Sequence, residues 1–232
     1  MFRFKQFEIR DELSAMKIGT DGVLLGAWVD VAGDERILDI GTGTGLVAIM
    51  CAQRNANAVI KGIDIVADAV VEARYNAKRT PWHSRLSFEH ADASNYDDGT
   101  KYDHIVSNPP FFLTTLHSPD ASRAIARHAT TLTYKALVAA AERILKPYGH
   151  LSVILPTECA AQFRRVAFER LWLSRITDVV TASGEAPKRT LMEFTLTSEP
   201  TMPRSSSLTI HNPGGGYTEE YRQLTKEFYL NF

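Results

Sequence analysis

A glycine-rich turn joins the first strand of a predicted sheet to a helix, and it reads Asp39-Ile40-Gly41-Thr42-Gly43-Thr44-Gly45. Glycine is needed in such a turn because the backbone must bend tightly and leave room for a ligand to touch the main chain. The spacing is G-x-G-x-G, which differs from the G-x-G-x-x-G of pyrophosphate-binding dinucleotide sites. The turn therefore predicts a ligand site and disfavours a NAD-dependent dehydrogenase.

Short β-branched runs alternate with longer helical patterns on both sides of this turn. Seven strands are predicted, at Arg36-Gly41, Ala58-Asp64, Leu86-Ala91, Asp103-Asn108, His150-Leu155, Ile176-Thr181 and Leu191-Thr197. Helices are predicted at Thr20-Trp28, Gly45-Arg54, Ala67-Arg79, Thr133-Lys146, Glu158-Leu171 and Thr218-Leu230, and a further short strand at Leu208-His211. Such alternation is typical of parallel strands joined by helical crossovers. We predict an α/β fold, Rossmann-like, with a mostly parallel seven-stranded sheet and helices on both faces.

Composition sets the class of protein. The chain has 232 residues, 44% of them hydrophobic, which suits a single domain over residues 1–232. Its 26 basic residues balance 27 acidic ones, so net charge alone cannot bind nucleic acid and any polyanion must meet a local patch. Two distant cysteines suit a reducing compartment, and no apolar run approaches the length of a membrane span. We expect a cytoplasmic monomer that does not associate with membranes.

Two more acidic residues follow the second and third predicted strands. Asp64 ends the second strand and Asp92 comes directly after the third. The carboxyl ends of parallel strands meet at one edge of the sheet, where such folds bind ligands. Asp64 can accept hydrogen bonds from both hydroxyls of a ribose, and Asp92 can accept one from an adenine amino group. Together with Asp39 they predict a pocket for an adenosine without phosphate, a description that S-adenosylmethionine fits.

The fourth predicted strand ends in Asn108-Pro109-Pro110-Phe111. Consecutive prolines fix the backbone and remove two amide donors, so carbonyl oxygens are left as acceptors. The Asn108 side chain adds an acceptor, and Phe111 offers a face on which a flat group can stack. Accepting both hydrogens of a planar amine would rehybridise its nitrogen and aim the lone pair at a sulfonium methyl. Positioning and electrostatics would then carry catalysis without a strong general base.

On these motifs the chain resembles class I S-adenosylmethionine-dependent methyltransferases, specifically the N-P-P-[FY] group that methylates amino nitrogens. Three flanking segments, Phe4-Phe7, Met16-Trp28 and Leu224-Leu230, are similar to bacterial tRNA (adenine-N6)-methyltransferases that act beside the anticodon of valine tRNA. The resemblance implies that the last strand of the sheet is antiparallel. It also implies methyl transfer to the N6 amine of that adenosine, with the tRNA anticodon stem-loop as partner.

The resemblance assigns roles to the motif residues. Asp39 and the glycines would line the methionine end of the cofactor, Asp64 would bind its ribose and Asp92 its adenine. A segment over residues 1–35 would cover cofactor and substrate, and residues 199–232 would form a loop and helix extension. The predicted cofactor-binding set is Lys17, Gly19, Thr20, Asp39, Gly41, Gly43, Gly45, Asp64, Ile65, Asp92, Ala93 and Asn108. The predicted catalytic set is Asn108, Pro109, Pro110 and Phe111, and no metal is expected because the histidines lack ligand spacing.

Three basic groups are candidates for contacting RNA. The loop Phe112-Thr131 beside the tetrapeptide suits a lid or an RNA clamp, or else a solvated short helix. It carries Arg123, Arg127 and His128, and a second group comprises Arg164, Arg165, Arg170, Arg175 and Lys188-Arg189. The third group interleaves Arg3, Lys5, Arg10 and Lys17 with Phe2, Phe4 and Phe7, a mixture suited to stacking and phosphate contact.

Two alternatives keep the chemistry and change the acceptor, to an rRNA guanine N2 or to a glutamine side-chain amide in a translation factor. A glutamine acceptor would not require basic patches. A third alternative is a protein that binds RNA or cofactor without catalysis. Acceptors aimed at an amine disfavour it, because binding alone has no use for them.

Overall fold

The computed structural model describes residues 1–14, 17–110, 132–200 and 202–231, and a sheet of eight strands forms its centre. In chain order the strands are β1 (Phe2–Arg3), β2 (Glu8–Ile9), β3 (Arg36–Ile40), β4 (Val59–Asp64), β5 (Leu86–His90), β6 (Tyr102–Ser107), β7 (Leu145–Pro156), β8 (Trp172–Ala182), β9 (Arg189–Thr195) and β10 (Arg204–His211). β1 and β2 form a separate antiparallel pair, and the remaining strands follow the order β10-β8-β9-β7-β6-β3-β4-β5.

Six α-helices lie within the described ranges. They are α1 (Thr20–Trp28), α2 (Leu46–Arg54), α3 (Ala67–Lys78), α4 (Tyr134–Ile144), α5 (Thr157–Ala167) and α6 (Glu219–Thr225). α4 and α6 begin at threonine caps, where Thr133 and Thr218 accept hydrogen bonds from backbone amides three residues later. Such caps satisfy amides that have no partner within the helix.

Alternate residues along each strand point to opposite faces of the sheet, and both faces are covered. Leu38 and Ile105 pack against α4 and α5 on one face. Their neighbours Ile37 and Val106 pack against α1, α2 and α3 on the other. The predicted α/β class with helices on both faces is confirmed, and the near-continuous apolar strands reflect burial on both sides.

The direction of the strands follows the predicted pattern. β3 pairs parallel with β4 and β6, and β6 pairs parallel with β7. β9 runs antiparallel to both of its neighbours, β7 and β8. The predicted mostly parallel sheet with the antiparallel strand at residues 191–197 is therefore confirmed.

The sheet has one strand more than the seven predicted. β10 pairs parallel with β8 at the sheet edge and starts at Arg204, four residues before the predicted short strand. Residues 204–207 are exposed and polar, so they lack the alternation that marks a half-buried strand. An edge strand tolerates such residues because one side faces solvent.

Helices α5 and α6 end at least four residues before their predicted ends. α5 ends at Ala167, and Glu169 then adopts a left-handed backbone with φ of 68°. α6 ends at Thr225, after which the Phe228 carbonyl accepts a hydrogen bond of 2.8 Å from the Lys5 amide. Beyond Thr225 the chain packs on the N-terminal residues.

The aromatic residues near the N-terminus belong to the core. Phe4 and Phe7 are buried and stacked on each other, with ring centroids 4.6 Å apart. Tyr229 stacks on Phe4 with centroids 6.1 Å apart, and Phe228 is buried in the same cluster. The hypothesis that this run stacks on RNA is wrong for Phe4 and Phe7, because both rings are buried, Phe4 against Tyr229 and Phe7 against Trp82.

No helix among the residues that the structure describes is long and apolar enough to cross a membrane.

Candidate active site

A cavity of about 800 Å³ opens at the carboxyl edge of the sheet, between the ends of β3, β4 and β6 and the segment before α1. It brings together most of the predicted cofactor-binding residues. Those in its wall are Lys17, Gly19, Thr20, Asp39, Gly41, Gly43, Asp64, Ile65, Asp92, Ala93 and Asn108. Gly45 does not line the cavity and lies below it, where a side chain would meet Ala73 and the Phe88 ring at 3.2 Å.

The glycine-rich turn presents bare main chain to this cavity. Gly41 and Gly43 have φ of 72° and 55°, a left-handed conformation that favours glycine. Among the described atoms, none lies within 4 Å of the place a Cβ would occupy at either residue. The amides of Gly41 and Thr42 donate to the Ile63 carbonyl at 2.9 and 3.0 Å, which ties the turn to β4. A ligand can therefore approach the backbone of this turn closely.

Asp39 lies beneath the turn and is almost fully buried. Its Oδ2 accepts hydrogen bonds from Thr42 Oγ1 at 2.7 Å and from the Ala48 amide at 3.2 Å. Burial raises the pKa of Asp39 to about 7; the two hydrogen bonds oppose this, and the charge of Asp64 adds to it. The carboxyl group therefore titrates near neutral pH, and a cation in the cavity would favour its ionised form.

Asp64 is held in place by two backbone amides. Its Oδ2 accepts from Gly43 N at 2.9 Å and its Oδ1 accepts from Val66 N at 2.9 Å. A carboxylate offers about four acceptor positions, so two remain for a ligand's hydroxyl groups. Asp92 is exposed at the end of the next strand, and its Oδ1 accepts from Ser94 N at 2.8 Å. The two acids therefore present oriented oxygen atoms along one side of the cavity.

Asn108 and Pro110 line the cavity at the end of β6. The preceding residue fixes this end, because Ser107 Oγ donates to the Ile40 carbonyl at 2.7 Å. Asn108 Oδ1 is buried and has no hydrogen-bond partner within the described part of the chain. A buried acceptor without a partner costs about 1–3 kcal/mol, so the Asn108 oxygen is a candidate to accept a hydrogen bond from a ligand.

Some predicted residues are not brought to this cavity. The Pro109 residue is buried and does not line the cavity, although its neighbours Asn108 and Pro110 do. Phe111, Arg123, Arg127 and His128 lie outside the described residues. Their predicted roles in stacking on the base and contacting RNA stay predictions.

The second group of basic residues is divided by the structure. Arg164 and Arg165 are exposed in the last turn of α5, at the opposite edge of the sheet from the cavity. Arg175 lies 3.6 Å over the Trp28 ring and 2.9 Å from Glu193, so it is engaged within the fold. Arg189 starts β9 and lines the cavity, where its Nε contacts Asp21 Oδ2 at 2.7 Å. Of this group, Arg189 lies at the cavity itself.

Two polar residues of α3, Glu72 and Asn76, anchor the N-terminal segment. Glu72 accepts hydrogen bonds from the amides of residues 12, 13 and 14 at 2.6–2.8 Å. Burial opposes its charge, but the hydrogen bonds from this segment outweigh it and hold the pKa of Glu72 below its ordinary value. Asn76 bonds both backbone groups of Arg10 and the Thr44 carbonyl, each at 2.9 Å. Glu72 and Asn76 are four residues apart on an otherwise apolar helix face, a pattern that indicates polar side chains with partners inside the fold.

Fold and cavity together define a Rossmann-like domain with an acid-lined ligand site at the carboxyl edge of its parallel strands. Residues 14–170 match the methyltransferase small domain family. The chain belongs to this family.

Bacterial relatives match the chain over its whole length. The tRNA1(Val) (adenine(37)-N6)-methyltransferase of Phocaeicola vulgatus is 46% identical over 99% of this chain and 97% of its own. The protein of the same name from Aliivibrio fischeri is 41% identical with the same coverage. Among solved structures, a predicted O-methyltransferase from Agrobacterium tumefaciens has a TM-score of 0.70 at 21% identity, covering 90% of this chain and 96% of its own. That likeness supports the fold.

Proposed function

We propose that this protein transfers a methyl group from S-adenosylmethionine to the exocyclic N6 amine of adenine 37 in tRNA1(Val), beside the anticodon. The observation that carries the proposal is the position of Asn108 in the cavity wall, together with its buried Oδ1, which has no partner among the described residues. The relatives that match the chain from end to end bear this activity in their names.

The residues of the cavity fit the cofactor. S-adenosylmethionine, when bound, supplies an electrophilic methyl group on a positively charged sulfur. Asp39 would favour the cationic methionine end, and its own raised pKa would fall as a cation approached. Asp64 would accept from the ribose hydroxyls with the two acceptor positions that its backbone bonds leave open. Asp92 would accept from the adenine amino group.

The acceptors at the end of β6 would orient the target amine. An aromatic amine is a poor nucleophile because its lone pair is delocalised into the ring. Asn108 Oδ1 and the Pro109 carbonyl would accept its two hydrogens, which localises the lone pair and directs it away from the acceptors. Neither group is a strong base, so the proton released on methylation passes to water. Catalysis by this chain would therefore rest on positioning and electrostatics.

The other acceptors considered from the sequence have less support. An rRNA guanine or a protein glutamine would suit the same tetrapeptide. The relatives, however, also match the segments on either side of the methyltransferase core. A protein that only binds RNA or cofactor would not benefit from an unpartnered acceptor, which carries a cost when no amine is present.

Further parts of the proposal concern covering segments and RNA contacts. Residues 1–35 would cover the cofactor, since the Glu72 carboxylate holds residues 12–14 beside the cavity wall. Residues 199–232 would form a loop and helix extension, and Arg123, Arg127 and His128 would contact the anticodon stem-loop. The protein would act as a monomer in the cytoplasm, where its two buried free cysteines would stay reduced.

A labelling experiment tests the proposed acceptor. Purified protein and methyl-labelled S-adenosylmethionine are incubated in three separate reactions, with total tRNA, with rRNA or with a protein fraction. The RNA products are then digested to nucleosides. Label in N6-methyladenosine from tRNA is expected. Label confined to rRNA guanine or to protein would overturn the proposal.

A substitution tests the role of the tetrapeptide. Asn108→Ala is expected to lower kcat by at least about a hundredfold, as for other lost transition-state hydrogen bonds, while the Kd for S-adenosylmethionine changes only a few-fold. Asn57→Ala is the matched control, because Asn57 is exposed just before β4, at the opposite edge of the sheet. An equal loss of cofactor binding in Asn108→Ala would show that the residue serves the cofactor instead.

A further inference from the structure

The ion pair between Asp21 and Arg189 joins two segments that are distant in sequence. Asp21 lies in the first turn of α1, and Arg189 is the first residue of β9. The Arg189 Nε donates to Asp21 Oδ2 at 2.7 Å, and the side chains of Arg189 and Asp21 are 31% and 22% exposed. Both residues line the cavity of about 800 Å³. The pair therefore connects the start of α1 to the sheet at the wall of this cavity.

The start of α1 is not fixed by a capping side chain. The helix follows Gly19, and no side-chain hydrogen bond caps it, whereas α4 and α6 begin at threonine caps. An acidic residue in the first turn interacts favourably with the partial positive charge of a helix start, but it does not by itself attach the helix to its surroundings. The bond from Arg189 provides that attachment.

The remainder of α1 is held independently of the pair. Residues 22–28 are buried, and Leu24 and Leu25 pack in the core beneath the helix. The Trp28 Nε1 donates to Thr177 Oγ1 at 2.9 Å, which attaches the other end of the helix to β8. We therefore expect α1 to stay packed when the pair is broken, while its first turn and the residues before it lose their fixed position.

The segment before α1 is anchored on its other side by Glu72. The Glu72 carboxylate accepts hydrogen bonds from the amides of residues 12–14, and residues 17–21 line the cavity beyond them. The Lys17 Nζ and the Ile18 amide donate to Asp11, which belongs to the same segment. These two bonds order the segment internally, whereas Glu72 and Arg189 attach it to the body of the protein on either side of residues 17–20.

The pair also lies between two cavities. A second cavity, of about 480 Å³, shares Thr20, Asp21 and Arg189 with the first and extends to Val179 and Tyr221. Removal of the pair would let the two spaces communicate. A ligand in the first cavity would then lose a defined boundary on this side.

We propose that Asp21 and Arg189 are positioning residues for the cofactor, which fix the part of the cavity wall formed by residues 17–21. The inference rests on the proposed function and adds to it the ion pair that orders this wall before S-adenosylmethionine binds. A wall that is already ordered loses little conformational entropy on binding, so it binds the ligand more tightly than a mobile wall does.

The test compares Asp21→Asn, Arg189→Gln and the double variant by calorimetric titration with S-adenosylmethionine in the absence of RNA. Each single substitution is expected to raise the Kd about fivefold, a moderate effect because solvent partly screens the pair. The double variant should raise the Kd no further, since both changes remove one interaction. Hydrogen exchange of the amides of residues 17–21 in the ligand-free protein should accelerate in all three variants, while the amides of residues 25–28 keep their protection.

Further measurements separate positioning from damage to the fold. Glu142→Gln is the matched control, because Glu142 forms an ion pair with Arg170 and neither residue lines the cavity. Its Kd for S-adenosylmethionine should equal that of the wild type. With tRNA, Asp21→Asn should raise the KM for S-adenosylmethionine and leave kcat at saturation unchanged. Exchanging the two charges, with Asp21→Arg and Arg189→Asp in one protein, should restore tighter cofactor binding than either change alone.

Three outcomes would overturn the inference. A wild-type Kd in Asp21→Asn would show that the pair does not serve the cofactor, even if Arg189→Gln binds more weakly. Losses that add in the double variant would show that the two residues act separately. Unchanged hydrogen exchange of residues 17–21 would show that the pair does not order the wall. If the wild-type protein binds no S-adenosylmethionine, the proposed function fails as well, whereas normal binding in every variant removes this inference alone.

Discussion

Replacing Asp39 by asparagine is expected to stabilise the protein at alkaline pH and much less at acidic pH. The carboxyl group is almost fully buried, and burial raises its pKa from the ordinary 3.8 to about 7. Above pH 7 the folded protein must therefore hold a buried charge that the unfolded chain exposes to water. Asparagine can accept the same hydrogen bonds from Thr42 and Ala48 through its amide oxygen, without the charge.

The sign and size follow from proton linkage. Between pH 4 and pH 7 the folded protein binds the proton of Asp39 and the unfolded chain does not, so the free energy of unfolding falls as pH rises. A pKa of about 7 against 3.8 corresponds to a total loss of about 4 kcal/mol, complete above pH 7. Of this, about 2 to 3 kcal/mol should be lost between pH 5 and pH 8.

Urea unfolding of the wild type and Asp39→Asn at pH 5 and pH 8, without cofactor, measures this effect. The difference in unfolding free energy between the two proteins should change by about 2 to 3 kcal/mol in favour of the variant at pH 8. The same variant should bind S-adenosylmethionine more weakly, because the charge that favours a cation is gone. A difference that is equal at both pH values would refute the argument that Asp39 is buried with a raised pKa.

Two further changes test the packing around the cavity. Glu72→Gln should lower the free energy of unfolding by about 2 kcal/mol, because the new amide NH2 faces the Ser14 N–H, a second donor. Hydrogen exchange of the amides of residues 12–14 should accelerate. Unchanged exchange would contradict the anchoring role of Glu72. Gly62→Ala should cost about 1–3 kcal/mol in thermal unfolding because its Cβ would lie 2.5 Å from the Phe88 ring. Gly214→Ala, where the described atoms leave open space, is its control and should be near neutral; an equal loss in both would argue against crowding at Gly62.

The parts of the site that follow the ends of parallel strands could be predicted from the sequence. The glycine turn, Asp64, Asp92 and Asn108 each follow a strand, and parallel strands bring their carboxyl ends to one edge. The positions of the strands in the sequence are therefore enough to predict that these residues meet.

Contacts between distant segments could not be predicted in this way. Phe4 and Phe7 were predicted to stack on RNA because the residues that pack on them, Tyr229 and Trp82, lie far along the chain. A smaller cavity lined by both Phe2 and Tyr217 could not be predicted for the same reason. Alternation and spacing report on one segment at a time, whereas burial depends on which segments meet.

The contact of Phe4 and Lys5 with Phe228 and Tyr229 bears on how the protein folds as it is synthesised. The aromatic cluster around Phe4 is completed only by Phe228 and Tyr229, which leave the ribosome more than two hundred positions later. Closing a loop of that length is slow and entropically unfavourable, so this cluster is expected to form last. Until Tyr229 packs on it, that side of the Phe4 ring would be exposed to solvent.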